Sequence, residues 1–164
     1  MITDIKDTPH ILEKLIEKHL SESVEVQNIS INFDIVNLSK IYIVASGSSR
    51  NAALVAQSFM EKVSGLSVFV EFASEFAHKK PKIKGNDLVV LVSQSGETAD
   101  TLAAIKLAKS KGATILGICN VVGSTISRET HAGSYTHAGP EIGVASTKAF
   151  TAQVTVLSLM ALQL

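Results

Sequence analysis

A chain of 164 residues with 46% hydrophobic and 18% charged residues can form one ordinary domain with an apolar core, which excludes a disordered chain. Its 15 basic and 15 acidic residues balance, so no positive charge favours nucleic acid, whose binding depends mainly on lysine and arginine. No apolar run reaches the roughly 18 residues of a membrane span, and the N-terminus has no apolar signal core. We therefore expect a cytoplasmic protein that binds neither nucleic acid nor membrane.

The first predicted element is a helix near the N-terminus. Thr8 is a candidate N-cap, Pro9 suits the first helical position, and apolar residues then recur on one helical face. Residues 21–38 carry only a weak helical pattern. We interpret residues 1–38 as an N-terminal helical lead-in and residues 39–164 as the main domain.

Four short apolar runs follow, each bounded by residues typical of turns or helix starts. They are Ile41–Ala45, Leu66–Phe72, Leu88–Ser93 and Thr114–Cys119. The first, third and fourth are almost continuously apolar, as is typical of strands buried on both faces of a parallel sheet. A fifth short strand is predicted around Ser134–His137.

Helical patterns alternate with these strands. The apolar spacing predicts helices over Asn51–Ser64, Ala99–Lys111 and Thr147–Leu164. The alternation indicates the α/β class: a doubly wound, flavodoxin-like parallel sheet of about five strands with helices on both faces, which is a three-layer α/β/α sandwich. The last helix is apolar on nearly every side, so we expect a partner subunit or a downstream segment to cover it.

Three turns rich in small and hydroxyl residues lie where an open parallel sheet binds ligands, beyond its strand ends. They are Ser46–Ser49, Ser93–Thr98 and Glu141–Lys148. A helix start leaves unpaired N–H groups at the positive end of the helix dipole, so a phosphate fits there without a lysine. The chain lacks both a Walker A motif and a dinucleotide fingerprint. The turns therefore favour a phosphate monoester on a small polar body.

Helix capping is the alternative explanation of these hydroxyls, since serine and threonine caps contribute about 1 kcal/mol each without any ligand. For Ser46–Ser49 both explanations stay open. Ser93–Thr98 has more hydroxyls than one cap needs, which favours ligand binding there.

Candidate acid–base groups and metal ligands are few. Glu97 and Glu141 are the only carboxylates inside the turns, and each is more typical of a charge partner at a helix N-terminus than of a base. Lys148 either pairs with one of them or faces solvent. Cys119, the single cysteine, lies in an apolar run and is expected in the core. The five histidines have no metal-ligand spacing, so we expect no metal and no cofactor, and the catalytic residues stay unknown.

Residues 93–102 (SQSGETADTL) and 141–150 (EIGVASTKAF) closely resemble the sugar isomerase (SIS) domains of the glucosamine-6-phosphate synthase family, specifically the isomerase half. The resemblance runs from about Lys40 to the C-terminus. It implies that the sugar phosphate is held by Ser48, Ser93, Gln94, Ser95 and Thr98. It further implies a pocket lined by Ser49, with the sugar contacted near its reacting end by Val144 and Ser146. The family's usual Cys-Gly-Thr-Ser is replaced here by Ser46–Ser49, and Arg50 stands where an aromatic residue is expected.

The resemblance implies a hexose phosphate ligand of the fructose 6-phosphate or glucosamine 6-phosphate type. The chain would be the phosphate-holding part of a ketose–aldose isomerase and aminotransferase in amino-sugar synthesis. It lacks the N-terminal cysteine of the family's glutaminase domain, and the family's acid–base residues lie outside the matched region. We therefore expect no catalysis by this chain alone. We expect a homo-oligomer or a second SIS domain to complete the active site. The alternatives are a non-catalytic sugar-phosphate-sensing module and a stand-alone phosphosugar isomerase or deaminase subunit.

Overall fold

The computed structural model describes residues 1–20, 29 and 35–164. Its elements are α1 (Ile2–His19), β1 (Lys40–Ala45), α2 (Gly47–Ser64), β2 (Ser67–Phe72), α3 (Ala73–Lys79), β3 (Leu88–Ser93), α4 (Ala99–Ser110), β4 (Thr114–Cys119), α5 (Thr125–Glu129), β5 (Ala132–Tyr135) and α6 (Lys148–Gln163). The five strands pair in parallel in the order β2-β1-β3-β4-β5. This arrangement confirms the predicted doubly wound α/β fold.

The centre of the sheet is covered on both faces. Strands β1, β3 and β4 are buried almost throughout, because their runs of Val, Ile, Leu and Ala leave no face for water. On one side, Ile41 and Ile43 pack with α2 and α6. On the other, Tyr42 and Val44 pack with α3 and α4. The result is the expected three-layer sandwich, with β2 as a more exposed edge strand.

The N-terminal helix begins earlier than predicted. It starts at Ile2, and Pro9 lies inside it rather than at its first position. Thr8 is not an N-cap, since its hydroxyl donates to the Asp4 carbonyl at 3.0 Å within the helix. The weak helical pattern of residues 21–38 falls largely outside the described residues, and residues 35–37 form a bend and turn.

Other boundaries differ in smaller ways. Helix α2 starts at Gly47 rather than Asn51, because the serine-rich turn itself belongs to its first turn. Strand β5 lies two residues earlier than predicted, over a sequence with little apolar character. The short helices α3 and α5 were not predicted. The other four predicted strands lie within one residue of the observed bounds.

The expectation that another segment or subunit must cover the last helix is wrong for most of its surface. Helix α6 packs against α1 and α2, and Ala152, Val156 and Met160 are fully buried within the chain. Leu162 is its only apolar residue that stays largely exposed among those described. The helix is apolar on several sides because the sheet and two helices surround it. No helix within the described residues combines the length and apolar character needed to cross a membrane.

Candidate functional site

Two adjoining hollows open among the three turns. The first, of about 200 Å³, is lined by Ser46, Ser49, Val92, Ser93, Gln94, Ser95, Thr98 and Thr101. The second, of about 250 Å³, is lined by Ser48, Ser49, Gln94, Glu141, Gly143, Val144 and Ser146. Ser49 and Gln94 line both hollows, so a single ligand can extend from one into the other. All eight residues predicted to bind the ligand line one hollow or both, and Ser48 lines the second alone.

The sheet topology explains why these turns meet. Strands β1 and β3 are parallel neighbours, with Ala45 opposite Val92. The turns that follow these strands therefore leave the same edge of the sheet side by side, and each leads into a helix. The order of strands changes direction at this point, since β2 lies on the far side of β1. Open α/β sheets bind their ligands at such a position.

The turn after β3 is shaped by its own serines. The Ser93 hydroxyl oxygen accepts a hydrogen bond from the Gly96 N–H at 3.1 Å, and the Ser95 hydroxyl oxygen accepts one from the Glu97 N–H at 3.3 Å. The Ser93 and Thr98 hydroxyls lie 3.3 Å apart. A hydroxyl that accepts a hydrogen bond keeps its hydrogen for donation. Ser95 therefore holds the turn and can still donate to a ligand, and of Ser93 and Thr98 the one that accepts their shared hydrogen bond can donate as well.

The hydroxyls are not consumed by helix capping. Ser46 is the N-cap residue of α2 and Thr98 that of α4, and neither side chain makes a capping hydrogen bond. The first-turn N–H groups of both helices are thus left for another acceptor. Capping hydrogen bonds therefore do not explain Ser46 and Thr98, and the Ser124 and Thr147 N-caps of α5 and α6 make none either.

Charge distinguishes the two hollows. Neither lining contains a lysine or arginine, and the single charged residue is Glu141 in the second hollow. Its carboxylate accepts hydrogen bonds from the Thr147 hydroxyl at 2.9 Å, the Thr147 N–H and the Ser146 hydroxyl at 3.1 Å. Burial raises the pKa of Glu141, but these hydrogen bonds outweigh it and the pKa lies below its ordinary value. An anion is therefore favoured in the first hollow and disfavoured in the second.

A family model of the SIS domain matches residues 34–163. The chain belongs to the SIS domain family. The glutamine–fructose-6-phosphate aminotransferase (isomerizing) of Bacteroides thetaiotaomicron is 48% identical over 170 residues, which cover 100% of this chain and 27% of that protein. The protein of the same name from Chlorobaculum tepidum is 58% identical over 125 residues, 76% of this chain and 20% of the relative. The SIS domain thus spans about a quarter of the length of these relatives.

A solved structure gives the same result for the fold. The C-terminal domain of glucosamine-fructose-6-phosphate aminotransferase from Francisella tularensis superposes with a TM-score of 0.91 at 34% identity. The match covers 98% of this SIS domain and 46% of that chain. The resemblance to the isomerase half, inferred from two sequence segments, is confirmed over the whole chain.

The two turn glutamates of the SIS domain act as helix-end partners. Glu97 accepts from the Thr125 N–H at 2.7 Å and from the Thr125 hydroxyl at 2.6 Å, at the start of α5. The pKa of Glu97 is lowered mainly by the hydrogen bond from the Thr125 hydroxyl and further by the one from the Thr125 N–H. Glu141 holds the start of α6 in the same way. The expectation that both residues are partners of helix N-termini is confirmed.

Lys148 does neither of the things expected of it. It is buried, and its ammonium lies 3.5 Å from a carboxylate oxygen of Asp4 and 3.5 Å from one of Asp7, both on α1. The third turn of the site therefore contacts the N-terminal helix, a contact that nothing in the local sequence indicates.

Three lining residues of the first hollow were not predicted to bind: Ser46, Val92 and Thr101. Ser46 belongs to the first turn, and Thr101 follows Thr98 by three residues on α4. Residues three apart lie on the same face of a helix. The spacing from Thr98 could therefore have predicted that Thr101 also lines the hollow.

A third hollow of about 200 Å³ lies beside β4 and β5 and contains Cys119 and His131. Cys119 is buried as expected, and its sulfur accepts a hydrogen bond from the Ser124 hydroxyl at 3.4 Å. The His131 Nδ1 accepts the Ile115 N–H at 3.0 Å. Both groups are thus occupied by structural contacts. Among the described residues, no three His, Cys, Asp or Glu side chains are grouped so as to bind a metal.

Proposed function

We propose that this SIS domain binds a hexose 6-phosphate of the fructose 6-phosphate or glucosamine 6-phosphate type. The phosphate occupies the first hollow and the sugar extends into the second. The proposed phosphate contacts are Ser93, Gln94, Ser95 and Thr98, together with Ser48 from the adjoining second hollow, and Ser49 lines both hollows. The proposed sugar contacts are Val144 and Ser146.

The observation that carries this proposal is the unequal charge of two connected hollows. The first presents hydroxyls and the starts of α2 and α4, which suit a doubly charged phosphate. The second contains the Glu141 carboxylate, which repels a phosphate but accepts hydrogen bonds from sugar hydroxyls. The Ser146 hydroxyl donates to Glu141, so it offers its oxygen to the sugar as an acceptor. A molecule with one anionic end and one polyhydroxyl end fits both.

We further propose that the domain is the phosphate-holding part of a larger ketose–aldose isomerase and aminotransferase in amino-sugar synthesis. Its relative from Bacteroides thetaiotaomicron is named glutamine–fructose-6-phosphate aminotransferase (isomerizing) and is about four times as long. Isomerisation needs a base within hydrogen-bond reach of the sugar, whereas Glu97 and Glu141 are engaged at helix starts. Completion by a second SIS domain or by a second copy of the chain would supply such a base. A cytoplasmic location belongs to the same proposal.

Calorimetric titration of the chain with fructose 6-phosphate, fructose and inorganic phosphate tests the proposal. We expect fructose to bind at least tenfold more weakly than fructose 6-phosphate, because it lacks the group that the first hollow binds. Equal binding of fructose and its phosphate, or binding of neither, would contradict the proposal.

Turnover assays on the same samples separate the two functional classes. Binding without isomerisation supports a phosphate-holding part or a sugar-phosphate sensor, and the occupied glutamates favour this outcome. Isomerisation or deamination by the chain alone would support a stand-alone isomerase or deaminase subunit instead.

A further inference from the structure

Asp4 is a buried carboxylate in the first turn of α1 that contacts the far end of the chain. It is 1% exposed. Its Oδ2 accepts the Gly143 N–H at 3.1 Å, across 139 residues of sequence, and lies 2.9 Å from the Met1 amino group. Its Oδ1 lies 3.5 Å from the Lys148 ammonium. A carboxylate buried this deeply is stable only when paired and hydrogen-bonded, and these contacts satisfy it.

Gly143 and Lys148, the two distant residues that Asp4 contacts, lie in or next to one turn of the proposed binding site. Gly143 lines the second hollow between Glu141 and Val144. Lys148 is the first residue of α6, directly after the turn. The single carboxylate of Asp4 therefore touches the middle of the turn and its C-terminal end.

The turn has few other attachments to the body of the domain. Ile142 and Val144, the neighbours of Gly143, are 85% and 107% exposed, so neither side chain is packed into the body of the domain. The hydrogen bonds of Glu141 run to Ser146 and Thr147, within the turn itself. These bonds attach the ends of the turn to the start of α6 but do not involve its middle residue Gly143. The hydrogen bond from Gly143 to Asp4 attaches that residue to α1.

We propose that Asp4 is a positioning residue, which holds the turn Glu141–Thr147 over the second hollow so that Val144 and Ser146 meet the sugar. The N-terminal helix is then part of the binding site rather than a lead-in to it. This inference rests on the proposed function for the ligand that the turn meets, but the attachment of the turn is measurable without ligand.

Hydrogen–deuterium exchange of the ligand-free chain tests the attachment directly. We expect Asp4→Asn to accelerate exchange of the amides of residues 141–147 at least tenfold relative to the unchanged protein, with the central strands β1 and β3 unaffected. Asp7→Asn is the matched control, because Asp7 also lies 3.5 Å from Lys148 but is half exposed and does not contact Gly143. Unchanged exchange of the turn in Asp4→Asn would overturn the inference, whatever the chain binds.

Gly143→Ala provides a second variant that removes no buried charge. A Cβ at Gly143 would lie 3.2 Å from the Asp4 Oδ2 and 3.3 Å from the Met1 Cα, closer than a comfortable contact. The turn and the N-terminal end of α1 must therefore move apart by a few tenths of an ångström, while the carboxylate keeps its pairing with Lys148. We expect faster exchange of the turn in this variant as well, and an unchanged turn would count against the inference even if Asp4→Asn folds poorly.

Affinity measurements connect the attachment to the sugar. We expect both Asp4→Asn and Gly143→Ala to weaken fructose 6-phosphate binding about tenfold and inorganic phosphate binding less than twofold, since phosphate occupies the first hollow. Asp7→Asn should leave both affinities within twofold. Equal losses for the two ligands would show a general loss of structure and overturn the positioning role. An unchanged protein that binds neither ligand would contradict the proposed function, while the exchange experiment would still decide whether Asp4 holds the turn.

Discussion

Gly96 lies directly against Ser124, so that a Cβ on Gly96 would stand 2.2 Å from the Ser124 hydroxyl oxygen and 2.5 Å from its Cβ. Gly96 has a φ of +69°, in the region that favours glycine. Ser124 is buried and is the N-cap residue of α5. The turn that lines the first hollow is therefore shaped by close packing against the start of α5 as well as by its own serines.

Gly96→Ala should destabilise the protein through two effects. The left-handed φ costs an alanine about 1 kcal/mol, and the overlap with Ser124 adds about 1–3 kcal/mol. We expect a loss of about 2–4 kcal/mol in the free energy of unfolding, measured by urea denaturation. Gly123→Ala is the matched control, because Gly123 has a φ of +73° but open space around its Cβ position. Equal losses in the two variants would show that Ser124 does not restrict the turn.

Ser95→Ala combined with Thr98→Ala should abolish sugar-phosphate binding and leave the fold nearly intact. Two donors to a charged group are lost, which corresponds to at least about a hundredfold loss of affinity. Both residues lie at the surface of the first hollow, so the melting temperature should change little. The control variant carries Ser58→Ala and Ser74→Ala, which remove two exposed hydroxyls outside the hollows. Retained affinity for fructose 6-phosphate in the first double variant would mean that the phosphate site is misplaced.

Glu97→Gln should lower the melting temperature in a pH-dependent way without affecting ligand affinity. The pKa of Glu97 lies below its ordinary value of 4.5 because the Thr125 hydroxyl and N–H stabilise the carboxylate. The ionised group therefore contributes stability that is fully present above pH 4.5 and is lost as the pH falls through the lower folded-state pKa.

The measurement is a set of thermal melts of both proteins between about pH 7 and pH 3. We expect a constant difference between them above pH 4.5 that shrinks at lower pH. Glu17→Gln, which changes an exposed glutamate on α1, should show no such difference. A Glu97→Gln variant with unchanged stability and lost ligand binding would show that Glu97 acts on the ligand after all.

Cys119 should resist thiol reagents in the folded protein. It is 1% exposed, and burial raises the pKa of its thiol, with the Ser124 hydroxyl opposing part of that effect. The reactive thiolate is therefore both scarce and shielded. We expect labelling by an aromatic disulfide reagent to be complete within minutes in concentrated guanidinium and at least a hundredfold slower without it. Comparable rates in both conditions would show that the β4 end is open to solvent.

The central fold was predictable because its signals are local. Strands β3 and β4 were predicted with their observed bounds, since each is a short apolar run between turn residues. Strand β5 was displaced by two residues because Ala132–Tyr135 carries little apolar character. The short helices α3 and α5 have too few residues to show a helical period, and α5 depends on Glu97 from a distant turn.

The binding turns were predictable for the same reason. The contacts that attach the third turn to the N-terminal helix were not. The serine-rich turns are contiguous in sequence and follow recognisable strands. Lys148 was expected near Glu97, near Glu141 or in solvent, but it pairs with Asp4 and Asp7 at the opposite end of the chain. Such a contact depends on the packing of α1 against α6, which no local pattern reveals.

A crystal structure of the chain soaked in fructose 6-phosphate tests the central claim most directly. We expect a phosphate in the first hollow, within hydrogen-bond distance of the Ser95 and Thr98 hydroxyls, and a sugar that extends past Gln94 toward Ser146. Empty hollows at millimolar ligand, or a sugar phosphate bound elsewhere on the domain, would contradict it.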